Sequence, residues 1–221
     1  MMNLCERFDK QWHFIPGEFA SFTEAALASA EQVDLPHTAV ELEYNYFDET
    51  VYQRKFSYQK ALFWRSEFTG KQVWLQFDVA MADAKVYLNG KLLTGHRDGY
   101  TPFEVQLTPH LLQGENQITV VIDGSENPEI SPFGGQIDYL TYAGIYRNVW
   151  LKTTDGLRIK NVQSIAEDVL HDEKALAVRV YLDQVVPGNY DGELVARLTT
   201  VDGRLVAEHH HVMSDYQGRD D

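Results

Sequence analysis

Chemistry in this chain is most legible between Asp138 and Leu151, DYLTYAGIYRNVWL. From Ile145 the residues alternate, placing Ile145, Val149 and Leu151 on one side of a predicted strand and Tyr146, Asn148 and Trp150 on the other. Ala143-Gly144 offers a tight turn into that strand, because glycine accepts positive φ. Asp138 lies before the turn, in a segment that Pro132-Phe133-Gly134-Gly135 marks as loop. A carboxylate on a loop held by a rigid sheet is placed to accept hydrogen bonds from sugar hydroxyls. Two plainer roles compete: capping its own loop, and pairing with Arg147. The Arg147 guanidinium shares the aliphatic parity and must either reach the rim or meet a carboxylate, since an unpaired buried charge is costly.

Other candidates carry weaker signals. Asn45, in Tyr44-Asn45-Tyr46-Phe47-Asp48, belongs to a second loop that reaches toward a ligand or is simply a surface turn. Tyr142 either stacks or hydrogen-bonds beside the ligand, or fills core or rim. In His209-His210-His211, successive strand residues face opposite ways, so His210 cannot join its neighbours at one metal, and no third ligand accompanies the other two. Trp12, Trp64, Trp74 and Trp150 would suit a sugar-stacking platform. Half-buried strand aromatics are the default, however, and only Trp64 lies in loop-like sequence. The acidic run from Glu167 to Glu173 reads as a solvated turn rather than a calcium loop. No cofactor and no metal are expected.

Strands must position these residues. Gln11 to Phe14 forms a short strand ended by Pro16-Gly17, and Ser21 with Glu24 opens an Ala-rich helical turn to Ala30. Period-two alternation then runs through 51–58, 73–79, 103–107 and 118–122. Asn89-Gly90 marks a hairpin, and Thr108-Pro109 to Gly114 one helical turn with Thr108 as its cap. After Thr153-Thr154-Asp155-Gly156 the alternation resumes at 176–182 and 194–198, with Asp202-Gly203 turning a second hairpin. Many short strands with turns between them indicate an all-β sandwich rather than βαβ units.

The 221 residues carry a net charge of −14, which argues against nucleic acid. With 44% hydrophobic residues a sizeable core is available. Cys5 is the single cysteine, so the fold stands on packing without an intrachain disulfide. No apolar run approaches the roughly 18 residues of a membrane helix, and the first ten residues lack a signal-peptide core. A cytoplasmic location without membrane contact is the expectation.

At these residues a resemblance emerges. An acid six positions before the Gly of an Ala-Gly-Ile-Tyr-Arg run resembles the signature that closes the N-terminal sugar-binding domain of family 2 glycoside hydrolases, the group of β-galactosidases, β-glucuronidases and β-mannosidases. Val33-Asp34-Leu35-Pro36-His37 resembles that family's LPH segment, and Val51 to Phe56 its first long strand. Val86-Tyr87-Leu88-Asn89-Gly90, followed by Gly95-His96 and Gly99-Tyr100-Thr101-Pro102-Phe103, resembles its central hairpin and following loop. His37 and His96, within these segments, read as structural hydrogen bonders.

The resemblance spans roughly residues 8 to 153 and implies a jelly-roll (galactose-binding-domain-like) β-sandwich over 1–155, then a partial immunoglobulin-like β-sandwich over 156–221. A full immunoglobulin-like domain needs seven strands in about 100 residues, and only about 65 are present. Its unpaired edge invites association between copies of the chain, so a homo-oligomer is an expectation. In the family the acid matching Asp138 binds sugar hydroxyls, and a loop matching Asn45 reaches the sugar. Retention there uses two carboxylates about 5 Å apart, on a (β/α)8 barrel of roughly 250 residues. This chain is therefore read as a non-catalytic, inactive part of a β-galactosidase-like enzyme, with substrate-binding residues Asp138, Asn45 and Tyr142 and no catalytic residue of its own. Its partners would be a β-glycoside, by family habit a β-galactoside, and a downstream catalytic barrel of the same polypeptide. The rival is a free-standing carbohydrate-binding module.

Overall fold

A computed structural model describes residues 3–19, 30–45, 48–131 and 142–216. The chain divides into two compact units, Met1–Thr153 and Thr154–Asp221. Among the described residues the regular structure is β, interrupted by three short 3₁₀ turns and no α-helix. The helical turn expected from Ser21 to Ala30 lies, up to residue 29, outside the described residues.

In the first unit, β1 (Cys5–Arg7), β2 (Trp12–Pro16), β3 (Glu31–Val33), β4 (His37–Thr38), β5 (Lys55–Phe63), β6 (Gln72–Phe77), β7 (Asp83–Leu88), β8 (Lys91–Arg97), β9 (Phe103–Gln106), β10 (Glu115–Asp123), β11 (Gly144–Ile145) and β12 (Val149–Thr154) follow in order. They form a four-stranded sheet β1-β12-β6-β9, a six-stranded sheet β3-β2-β5-β10-β7-β8 and a small pair β11-β4. Alternation decides what lies between the sheets. Val73, Leu75 and Phe77 of β6 and Val149 and Leu151 of β12 meet Phe56 and Tyr58 of β5 and Ile118, Val120 and Ile122 of β10 in one buried core. The outer face of β5 is also covered. Ser57 Oγ donates to the Gly17 carbonyl at 2.7 Å and accepts the Phe19 N–H at 2.9 Å, drawing the segment after β2 across it.

The Asn89-Gly90 hairpin forms as expected, with φ of 52° and 80°. The Asn89 side chain then ties the turn to β10, its Oδ1 accepting the Gln117 N–H at 2.8 Å. Three local expectations need correction. The strand expected from Val51 starts only at Lys55, because Asp48 accepts the Thr50 N–H at 2.9 Å and winds Glu49–Val51 into a 3₁₀ turn. The turn at Thr108–His110 forms, but Thr108 does not cap it: its hydroxyl takes the Val73 N–H at 2.6 Å, and Leu107 occupies the cap position. The continuous strand expected from Ile145 is broken at 146–148, where Arg147 swings out to solvent.

In the second unit, β13 (Leu157–Glu167) pairs antiparallel with β14 (Ala175–Gln184), and β15 (Tyr190–Thr199) with β16 (Leu205–Tyr216). Gly203, at φ 87°, turns the second pair. No residue described between 154 and 214 is fully buried.

Candidate functional site

Four loops gather where β5 and β7 begin and β8 and β10 end, since Lys55 pairs with Asp123, Asp123 with Asp83, and Asp83 with Arg97. Backbone hydrogen bonds lace them together. Gly124 N–H donates to the Arg54 carbonyl (3.0 Å), Asp98 N–H to Ala82 (3.0 Å), Met81 N–H to Gly144 (3.0 Å) and Ala39 N–H to Ala143 (2.7 Å). Two glycines make this approach feasible. A Cβ on Gly124 would lie 2.5 Å from the Ala143 Cβ and 2.6 Å from the Tyr52 carbonyl. Gly144 has φ 130°, and a Cβ there would meet the His37 carbonyl at 2.6 Å and the Tyr58 hydroxyl at 2.9 Å.

Beneath the Gly144 turn, the buried Tyr58 hydroxyl takes a hydrogen bond from the Ile145 backbone and shares another, at 2.9 Å, with His37 Nδ1. Burial raises the phenol far above its ordinary range and lowers the imidazole, so both stay neutral near pH 7. His37 thus anchors the turn. His96 stacks on Phe103, with centroids 4.3 Å apart.

Of the predicted ligand-binding residues, Tyr142 stands at this end of the sandwich. It is 39% exposed, with its ring 6.4 Å from that of Tyr52, and so occupies a rim position. Tyr52 is buried, and burial, then nearby Glu49, pushes its hydroxyl pKa up. Asn45 is exposed three residues before the Asp48 cap, on the segment that delivers Tyr52 to Tyr142. Asp138 lies outside the described residues, as does any pairing it makes with Arg147. Its flanking residues, Ser131 and Tyr142, both belong to the laced end.

The tryptophans form no open platform. Trp12 and Trp74 are buried; Trp64 packs on the core with its edge toward Phe68; Trp150 is half-buried, with Nε1 donating to Asp78 at 3.0 Å and Arg7 above its ring. Among the described residues no group of three metal-ligating side chains assembles. In the acidic loop, Asp168 faces His171 at 3.3 Å. His210 is held between Glu193 (2.8 Å) and Glu208 (2.7 Å), which raise its pKa.

Two long-range contacts escaped sequence reading. Asp9 is 3% exposed, and its Oδ1 accepts the Val149 N–H at 2.7 Å, fixing the start of β12. Tyr146 donates its hydroxyl to the Gly99 carbonyl while its ring packs against Met81, Ala82 and Ile130. Their partners lie 140 and 47 residues away, and no local pattern signals contacts at that range.

Comparison with known proteins identifies the scaffold. The sugar binding domain of glycosyl hydrolases family 2 matches residues 16–155. A β-galactosidase of Rhizobium meliloti is 47% identical over 173 residues, covering 77% of this chain and 22% of its own length. A β-galactosidase of Thermoanaerobacterium thermosulfurigenes is 43% identical over 161 residues, covering 72% and 22%. The structure of a Bacteroides uniformis β-glucuronidase superposes with a TM-score of 0.83 at 23% identity over 96% of this chain and 26% of that one, a likeness of fold. The chain thus spans about a fifth of the length of these two curated relatives. With the match running through the sandwich and its laced loops, the chain belongs to glycosyl hydrolases family 2, as a bearer of that family's sugar binding domain.

Proposed function

We propose that this chain is the non-catalytic sugar-binding part of a longer, retaining β-glycosidase of the β-galactosidase kind. The observation that carries this reading is the 47% identity to a β-galactosidase across the sandwich, a relative more than four times as long as the matched segment. A (β/α)8 barrel takes roughly 250 residues, and the described strands occupy the chain to residue 216. Bond cleavage is accordingly assigned to polypeptide outside these 221 residues. The sandwich shapes the rim of the sugar site, and β13 to β16 are the opening hairpins of an immunoglobulin-like domain that supports the barrel.

Within that arrangement Asp138 binds the sugar. An ionised carboxylate makes charge-assisted hydrogen bonds to hydroxyls without taking part in bond breaking, and such bonds accelerate the reaction to the extent that they strengthen in the transition state. Tyr142 lines the rim and Asn45 extends it. The competing reading, an autonomous carbohydrate-binding module, draws on the closed core of the first unit. Calorimetric titration of the 221-residue chain with galactose, glucuronate and mannose separates the two. A rim-forming part gives no measurable heat, whereas millimolar or tighter binding would favour the autonomous module.

A further inference from the structure

The protons beneath the Gly144 turn have one consistent arrangement. Tyr58 is completely buried, and its hydroxyl oxygen already accepts the Ile145 backbone N–H. The phenol's own proton is left for its second partner, His37 Nδ1, at 2.9 Å. That nitrogen must then be unprotonated, which puts the imidazole hydrogen on Nε2. Phe14 of β2 meets the ring edge-on at 4.8 Å and carries no charge. Burial holds the imidazole neutral, outweighing the pull of Glu31 on β3 and Glu41 beyond β4, the charged groups that act on it.

The turn above depends on this pair. Gly144 and Ile145 lie in register with Thr38 and His37, and Ala39 N–H donates to the Ala143 carbonyl at 2.7 Å. On the other side Gly144 exchanges backbone hydrogen bonds with Met81 at 3.0 and 3.3 Å. β4 and β11 are two residues each, so the link from His37 into the core is a large share of what holds them.

We infer that the His37 imidazole and the Tyr58 hydroxyl form an acid-operated latch on the Gly144 turn: it is closed while Nδ1 accepts the phenol proton and opens when that nitrogen is itself protonated. Protonation takes one proton from water while the phenol keeps its own, so two hydrogens face each other and the buried phenol loses its acceptor, a costly state. The turn is the side that yields, because β5 is fixed between β2 and β10 whereas β11 pairs only with the short β4. Tyr142 joins the turn at Ala143, so acid loosens the backbone at that rim position. The latch operates whichever ligand the rim meets.

The test is NMR of the 221-residue chain. Long-range proton–nitrogen correlation at neutral pH should show His37 as the Nε2–H tautomer, a readout that needs no variant. Amide protection factors at Ala39, Gly144 and Ile145 should fall about 10-fold from pH 7 to pH 5 in the wild type. They should stay level in His37→Gln, whose side-chain oxygen accepts the phenol proton but does not titrate. An Nδ1–H tautomer at neutral pH, protection that does not change as His37 titrates, or the same acid loss in His37→Gln would overturn the latch.

Discussion

The two units use the same element, the antiparallel β-pair, to opposite ends. In the first, two sheets face one another, and residues such as Trp12, Phe56, Phe77 and Leu151 are fully enclosed. In the second, two hairpins of comparable strand length leave Val162, Leu205 and Val212 more than half exposed. Pairing satisfies the backbone in both, yet only burial between layers removes apolar side chains from water. The comparison teaches that strand pattern predicts an element and that a second layer decides whether it forms a core.

The largest expected effect separates the units by side-chain truncation. Phe77 is completely buried and stacks on Phe103 at a centroid distance of 4.8 Å. Phe77→Ala should cost about 3–5 kcal/mol in denaturant unfolding, whereas Val212→Ala, at a 72% exposed site, should stay within about 0.5 kcal/mol. Equal costs would break the distinction. Glycine substitution sharpens it. Gly144 and Gly203 both hold positive φ, but an added Cβ collides only at Gly144 and meets nothing within 4 Å at Gly203. Gly203→Ala should cost about 1–2 kcal/mol for the conformation alone, and Gly144→Ala clearly more because backbone atoms of 37 and 39 must give way; thermal unfolding of both variants measures the difference.

The smallest effect is a pair of pH dependences of opposite sign. Burial depresses the folded pKa of His37, so its contribution to stability is present above the ordinary imidazole range and is lost as pH falls through the folded value. His210 has its folded pKa raised by Glu208 and Glu193, with Arg197 also pairing to Glu208. Its contribution is present below the ordinary range and is lost as pH rises through the folded value. Amide exchange between pH 5 and 8 should show residues 37–39 protected less toward acid and residues 208–212 less toward base. Replacing each histidine with glutamine should abolish its own trend.

Legibility in the sequence followed the range of the interaction. The Asn89-Gly90 turn was readable because positive φ is a property of two adjacent residues, and core parity in β6, β10 and β12 was readable because alternation is local. The start of β5 was not, since the Asp48 cap competed with a plausible alternation. Thr108 was misassigned because its hydroxyl answers Val73, 35 residues earlier. The candidate site divides in the same way. Asp138 was nominated from a run of residues close around it and lies outside the described residues, whereas Tyr146 was read only by parity, because its partner Gly99 sits on another loop.

The central claim is that these residues bind and frame a sugar while cleavage belongs to polypeptide beyond them. Proton NMR of p-nitrophenyl β-galactoside hydrolysis, run in parallel with the 221-residue chain and with the full-length gene product, tests it most directly. The account predicts no hydrolysis by the chain alone and β-anomeric galactose as the first product of the full-length protein. Hydrolysis by the 221 residues themselves, or α-anomeric galactose as the first product, would contradict it.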